Sequence, residues 1–426
     1  MLKLLQVAYQ PRHFLLPLAL VAICAPGITF LGTFWLTGRW IILGLLAVYT
    51  VFFSVSHIRA SLPAFTVAVV GYVAWCALTY GWSKVPDLSL MKTIALVIVV
   101  FACFRGGYQW VAEHKAGNGI DFLWPWTILA LVAWLSGTAE TSTEVGDSFV
   151  LHQGATGNSN FLGLILATST PILLLQAHRN WANFPRRMIW LALLAICTYG
   201  LYQSGSRASY LLFVSVACGL LAAQGAGRAV IVPVVIAVIA GIVTVAAPYL
   251  SDQVIQRNIY KDPDSGDIFS SREGPWEESY EAALEGGLLG LGYGVALGEY
   301  DFEPALTAMN YGREKGNTPL AVVEETGLIG LTLYLSLIAM LFWELAMAFW
   351  KVRNKDEKTM LGIVIGMLFG LTVHSMFEAW WVAPGSVEFG LFWAIAGAGC
   401  AMAQAVINVG ILPAAARQTP VVAEKA

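Results

Sequence analysis

The sequence predicts an all-α, polytopic integral membrane protein with about twelve transmembrane helices and one large extracytoplasmic loop. Three observations carry that reading. Hydrophobic residues make up 58% of the chain and charged residues only 12%, against roughly 25% charged in soluble domains. The charges fall in short clusters between apolar runs of about twenty residues, the length that crosses roughly 30 Å of hydrocarbon as a helix. Runs such as AVIVPVVIAVIAGIVTVAAPYL (229–250) do not alternate polar with apolar residues. A spanning β-barrel requires that alternation, so the spans read as helices.

In chain order the expected spans are 14–36, 39–56, 62–81, 89–105, 122–138, 159–177, 187–203, 206–223, 229–250, 318–350, 359–380 and 386–408. The first contains Pro17 and Pro26 and is followed by many more spans, so it reads as a membrane helix and not as a cleaved leader. The segment 318–350 is longer than one crossing needs, which predicts tilt or projection beyond the bilayer. This divides the chain into helices 1–9 over 1–250, a polar loop over 251–317, helices 10–12 over 318–410 and a disordered tail over 411–426. Within the loop, PWEESYEAALEGG (275–287) starts with Pro and ends with Gly, as a short helix does. A second loop, 139–158, is acidic through Glu140, Glu144 and Asp147.

Orientation follows from the Lys and Arg residues of the loops. With the N-terminus inside, fifteen of the 24 basic residues fall on the inner side and nine outside. That bias predicts cytoplasmic termini and places 251–317 outside. A net charge of −3 is too small to point to nucleic acid. The six cysteines lie within apolar runs without a CxxC pair or a Cys/His cluster, so the sequence suggests no metal, cofactor or disulfide framework.

Three clusters carry chemistry. In SGSRASYLL (204–212), Ser206 and Arg207 form a tight turn between two spans. A boundary arginine can simply snorkel to headgroups. At the head of a helix, however, guanidinium and backbone N–H groups converge in a way that suits a phosphate or diphosphate. In FSSREGPWEESYEAALEGGLLGLGYG (269–294), Arg272 precedes a helix bearing Glu277, Glu278, Glu281 and Glu285, and a glycine-rich return leads back to the membrane. The plain alternatives are a solvated helix face and ordinary turns. In REKGNTPLAVVEETGLIGL (313–331), Arg313 and Lys315 precede Asn317, a cap or a ligand, and Glu324 and Glu325 fall on the first turns of a span, where carboxylates often serve only the helix dipole.

Together these clusters resemble the bacterial O-antigen ligase and O-antigen polymerase superfamily. The Ser-Arg-Gly-like turn is matched by Ser206-Arg207-Ala208, the loop arginine and its Leu-Leu-Gly-x-Gly stretch by Arg272 and LLGLGYG (288–294), and the Glu-x-Gly-Leu-Ile-Gly segment by ETGLIG (325–330). YGWSKVPDLSLMK (80–92) and GNSNFLGLILATSTP (157–171) are also similar, so the likeness runs from about residue 80 to 380. One departure stands out. The family's His-Asn pair is Gly316-Asn317 here, so the histidine thought to activate the acceptor hydroxyl is missing. Candidate bases in its place are Glu325, Glu324, or His374 with Glu378, which are spaced to share one helix face near the outer surface; His152 is a further candidate.

The resemblance implies a GT-C-like, metal-independent, inverting glycosyltransferase of the bacterial inner membrane. Its donor would be a glycan on a polyprenyl (undecaprenyl) diphosphate, and its acceptor lipid A–core for a ligase or a second lipid-linked glycan for a polymerase. Arg207 and Arg272 would neutralise the diphosphate, with Ser206, Asn317, Arg313 and Lys315 around it. The missing histidine leans the reading towards a polymerase or exopolysaccharide-type member. Twelve spans equally suit a transporter or flippase of lipid-linked glycans, although the sequence shows no related halves. A scaffold of a polysaccharide export system that has lost activity is the third reading.

Overall fold

A computed structural model describes residues 12–32, 34–52, 63–114, 119–137, 142–145, 149–225, 270–297 and 315–411. The expected span 229–250, Arg313 and the tail lie outside these residues. Within them the protein is an all-α membrane protein, and eight helices are long and apolar enough to cross a bilayer. The helices are α1 (Arg12–Cys24), α2 (Phe34–Phe52), α3 (Pro63–Leu78), α4 (Pro86–His114), α5 (Trp124–Leu135), α6 (Ser159–Arg179), α7 (Phe184–Ser204), α8 (Arg207–Gln224), α9 (Ser270–Gly286), α10 (Thr318–Lys351), α11 (Lys355–His374) and α12 (Val387–Ile411).

Several expected boundaries move, each for a local reason. The first span ends at Cys24 and runs through a 3-10 turn at Ala25–Gly27, because Pro26, Gly27 and Gly32 break the helix well before residue 36. α4 continues through a π-turn at Val100–Phe104 to His114, so Arg105 lies in a helix and not in a loop. The 139–158 loop contains an antiparallel hairpin, β1 (Ser142–Val145) with β2 (Phe149–His152), in which Ser142 pairs with His152. Thr143, Val145, Phe149 and Val150 are β-branched or aromatic, which favours this pairing.

Helix packing uses small residues, since lipid supplies no hydrophobic drive between helices. α8 and α11 form an antiparallel pair in which a Cβ on Gly219 would lie 2.1 Å from the Gly362 carbonyl oxygen. One and two turns nearer the α11 C-terminus, Gly366 abuts Ser215 and Val216, and Gly370 abuts Leu212. α12 meets α4 in the same manner, with Gly107 against Ala394 and Gly397 against Phe104.

One end of the bundle is cross-tied by loops. Thr29 N–H donates to the Ala155 carbonyl (2.7 Å), Thr318 N–H to Ser375 (3.0 Å), and Lys84 N–H to Leu291 (2.9 Å). The buried Arg39 guanidinium donates to the Gly385 carbonyl (3.0 Å). Beneath these ties sits an aromatic floor centred on Trp381, which packs against Tyr334 (4.8 Å between ring centroids), Phe392 (5.2 Å), Trp393 (5.7 Å) and Tyr72 (6.1 Å). At the opposite end Gln224 bridges to Thr359 (3.0 Å) and His178 (3.3 Å).

Candidate functional site

The 34 residues of α10 would measure about 51 Å as an unbroken helix, well beyond the hydrocarbon thickness. The excess length projects, and it is set off by a break. Gly327 adopts φ 72° and ψ −177° inside the helix, a conformation essentially restricted to glycine. The freed backbone groups pair with the glycine-rich return: Leu328 N–H donates to the Gly287 carbonyl (3.0 Å), Leu291 N–H to Glu324 (2.9 Å) and Gly292 N–H to Glu325 (3.0 Å). Close approach explains the glycines. Gly290 has φ 83°, and a Cβ there would lie 2.3 Å from the Glu325 carbonyl oxygen.

The two carboxylates of this helix do more than face its dipole. Lys315, 5% exposed, contacts Glu325 Oε1 (2.5 Å) and Glu324 Oε2 (3.2 Å), and both acids are buried. Their other oxygens accept backbone N–H groups of the return, Gly294 to Glu325 Oε2 (2.7 Å) and Leu297 to Glu324 Oε1 (2.8 Å). One lysine thus joins two acids that each hold the glycine-rich segment. From the other side the 79–92 segment holds it too: Thr79 Oγ1 accepts the Tyr293 N–H (2.9 Å), and Trp82 Nε1 donates to the Leu289 carbonyl (3.3 Å).

Asn317 is the N-cap of α10. Its Oδ1 accepts the Leu320 N–H (3.2 Å), and its amide donates to the Met376 carbonyl (3.0 Å). Gly316 is gripped by α9, with its N–H on Ser279 Oγ (3.1 Å) and its carbonyl on Trp276 Nε1 (2.9 Å). A Cβ at 316 would lie 2.7 Å from the Trp276 ring, so this packing does not accommodate the family's histidine unchanged. α9 begins at Ser270, not at Pro275, so Arg272 belongs to its first turn, one turn ahead of Trp276.

The α7–α8 turn forms as expected. Gly205 closes α7 in the left-handed conformation (φ 61°), and Ser206 stands at the N-cap position of α8, its hydroxyl on Ser209 Oγ (2.8 Å). Gly163, from the 157–171 motif, lets Ser206 approach, since a Cβ there would lie 2.5 Å from the Ser206 Cβ. The α8–α11 register, carried one turn beyond Leu212 and Gly370, sets Arg207 level with His374.

His374 is buried and ends α11, and Glu378 lies in the turn beyond it, half-buried. The two therefore do not share a helix face, because the helix gives way to turns from Ser375 onward. The Glu378 carbonyl accepts the Thr318 hydroxyl (3.4 Å). Loop 375–379 thus joins the Arg207 end of α8 to Asn317. His152 lies elsewhere, its ring Nε2 3.2 Å from the Trp134 carbonyl. Among the described residues, no three His, Cys, Asp or Glu side chains gather so as to hold a metal ion.

The five sequence motifs therefore meet at one end of the bundle. The span from mid-α7 to mid-α10, residues 191–335, matches the family model described as O-antigen ligase. That third of the chain is similar to the O-antigen ligase family. Comparison with curated proteins gives no match. The matched region contains the Arg207 turn, α9, the glycine-rich return and the lysine–diglutamate clamp. Helices long and apolar enough to cross a membrane lie within the matched region and on both sides of it. Sequence reading missed Trp276, Ser279 and the Lys315 pairing; the only signal for the last was a lysine ten residues ahead of Glu325.

Proposed function

We propose that this protein transfers a glycan from a polyprenyl diphosphate to an acceptor hydroxyl at the extracytoplasmic membrane surface. Arg207 and Arg272 would receive the charge that develops on the departing diphosphate, since guanidinium groups match phosphate oxygens two at a time. The acceptor oxygen bonds to the anomeric carbon, the bond from that carbon to the diphosphate oxygen breaks, and the acceptor proton goes to a protein base. Direct displacement inverts the anomeric configuration. Of the candidate bases, Glu325 has its oxygens committed to Lys315 and the Gly294 N–H. Glu378 is half-buried beside the Asn317 tie, which makes it the better candidate, with His374 behind it. Ser206 and Asn317 shape the turns around the diphosphate, and the Lys315 clamp holds the segment that closes over it. The altered Gly316 favours a polymerase-type acceptor, a second lipid-linked glycan, over lipid A–core.

The observation that carries this reading is the family match over a region whose two arginine-bearing helix starts are joined through loop 375–379 and Gly316. The test is transfer from a labelled polyprenyl diphosphate glycan by the protein in liposomes. Arg207→Ala and Arg272→Ala should each lower turnover by about 100-fold or more, the scale of losing one charge-stabilising donor. Full turnover in both folded variants overturns the scheme.

A further inference from the structure

α9 carries an apolar surface that neither the helix bundle nor the proposed chemistry explains. At 100° per residue its faces fall into three arcs. Ser279, Ala282, Ala283 and Gly286 are buried, with Gly286 against Val323 and Glu324 of α10. Next round the helix come Tyr280 and Leu284, 57% and 65% exposed, on an arc that Glu273 and Glu277 occupy in the N-terminal half, and beyond them the exposed Glu281 and Glu285. The apolar stripe continues past the helix end through Leu288 and Leu289, 61% and 45% exposed. Large apolar side chains exposed in a row along a helix mark a contact surface.

Its height relative to the bilayer fixes the partner. Counting back about twenty residues from Lys351, the length of one hydrocarbon crossing, reaches Leu331, one turn from the break at Gly327. Leu328, 51% exposed, stands at this level and donates its N–H to the Gly287 carbonyl (3.0 Å). Trp82, whose indole bonds the Leu289 carbonyl (3.3 Å), packs on Trp75 (5.5 Å between centroids), and such tryptophans collect at the headgroup level. The C-terminal end of α9 is thus bolted to the membrane boundary, and its stripe is continuous with the exposed apolar face of α10 at Leu328 and Leu335.

We infer that the C-terminal half of α9 is interfacial, its Tyr280–Leu284–Leu288 stripe lying in lipid hydrocarbon while Glu281 and Glu285 face water. This rests on the membrane-protein reading alone and not on the glycan chemistry. An acidic helix gains nothing from anionic headgroups; the apolar area and the tether to α10 hold it down.

Nitroxide labels test it in the full-length protein in phosphatidylcholine nanodiscs. Five of the six native cysteines are buried, and the half-buried Cys218 is replaced by alanine throughout. Single cysteines go to Tyr280, Leu284, Leu288, Glu281 and Glu285, with lipid-facing Leu335 as reference. Labels at 280, 284 and 288 should collide with oxygen in preference to a water-soluble nickel chelate, as at 335, and the preference should reverse at 281 and 285. A label at 284 that behaves like the one at 281 overturns the inference. So does one that excludes both reagents, since protein would then cover the stripe.

Discussion

Lys315 shows how much a single side chain carries. It is buried between two acids, and each acid holds a backbone N–H of the glycine-rich return. Removing one member of a buried ion pair strands the remaining charge, at a cost of about 3–5 kcal/mol. Lys315→Met should therefore lower the thermal unfolding midpoint in detergent, and adding Glu324→Gln and Glu325→Gln should recover most of the loss. Both substitutions keep acceptor oxygens for Gly294 and Leu297 while removing the charges. The same logic separates a clamp from a base. Glu325→Gln retains the clamp geometry, so transfer should stay within about tenfold of wild type. Glu378→Gln, which abolishes proton acceptance at the favoured base, should cost at least the 10²-fold typical of general-base loss. A pH–rate profile that loses its acidic limb only in Glu378→Gln supports that assignment.

At the scale of elements, the break in α10 organises the site. Gly327→Ala places a Cβ 2.1 Å from the Leu288 carbonyl oxygen in a conformation reserved for glycine. The backbone strain alone is about 1–3 kcal/mol. Either α10 straightens and releases the return, or the protein loses stability; both appear as faster proteolysis within 287–297 and a lower unfolding midpoint. Gly362→Leu attacks a different contact, the α8–α11 seam, by overpacking worth about 1–3 kcal/mol. Because that seam sets Arg207 level with His374, it should also reduce transfer where a lipid-facing change such as Leu335→Ala does not. Most of the described helices and the α7–α8 turn are legible in the sequence, since apolar run length and the Gly205–Ser206 pair specify them locally. The ETGLIG break is not. It reads as uninterrupted helix because the glycine-rich segment that stabilises it comes from some forty residues upstream. The Glu378 placement differs for a similar reason: the helical period through 374–378 is intact, and ties of loop 375–379 to residues 315–318, distant in sequence, hold the chain out of the helix.

For the whole molecule, orientation is the consequence that tests the rest. The two short connections at the end joined by Gln224, with the helix turns that flank them, carry Arg179, Arg186, Arg187, Lys351, Arg353, Lys355 and Lys358. At the opposite end two of the basic residues are withdrawn, Lys315 into its ion pair and Arg39 against the Gly385 carbonyl. A short, exposed, basic connection is the kind that is retained in the cytoplasm. This end should therefore face inward, which puts α9 and both arginine-bearing helix starts outside. A membrane-impermeant thiol reagent applied to intact cells should label Glu281→Cys and leave Lys355→Cys unmodified until the membrane is opened. The reverse pattern would place the clustered motifs in the cytoplasm. Surface polymer assembly from lipid-linked donors would then be excluded, even though every contact within the site stayed the same.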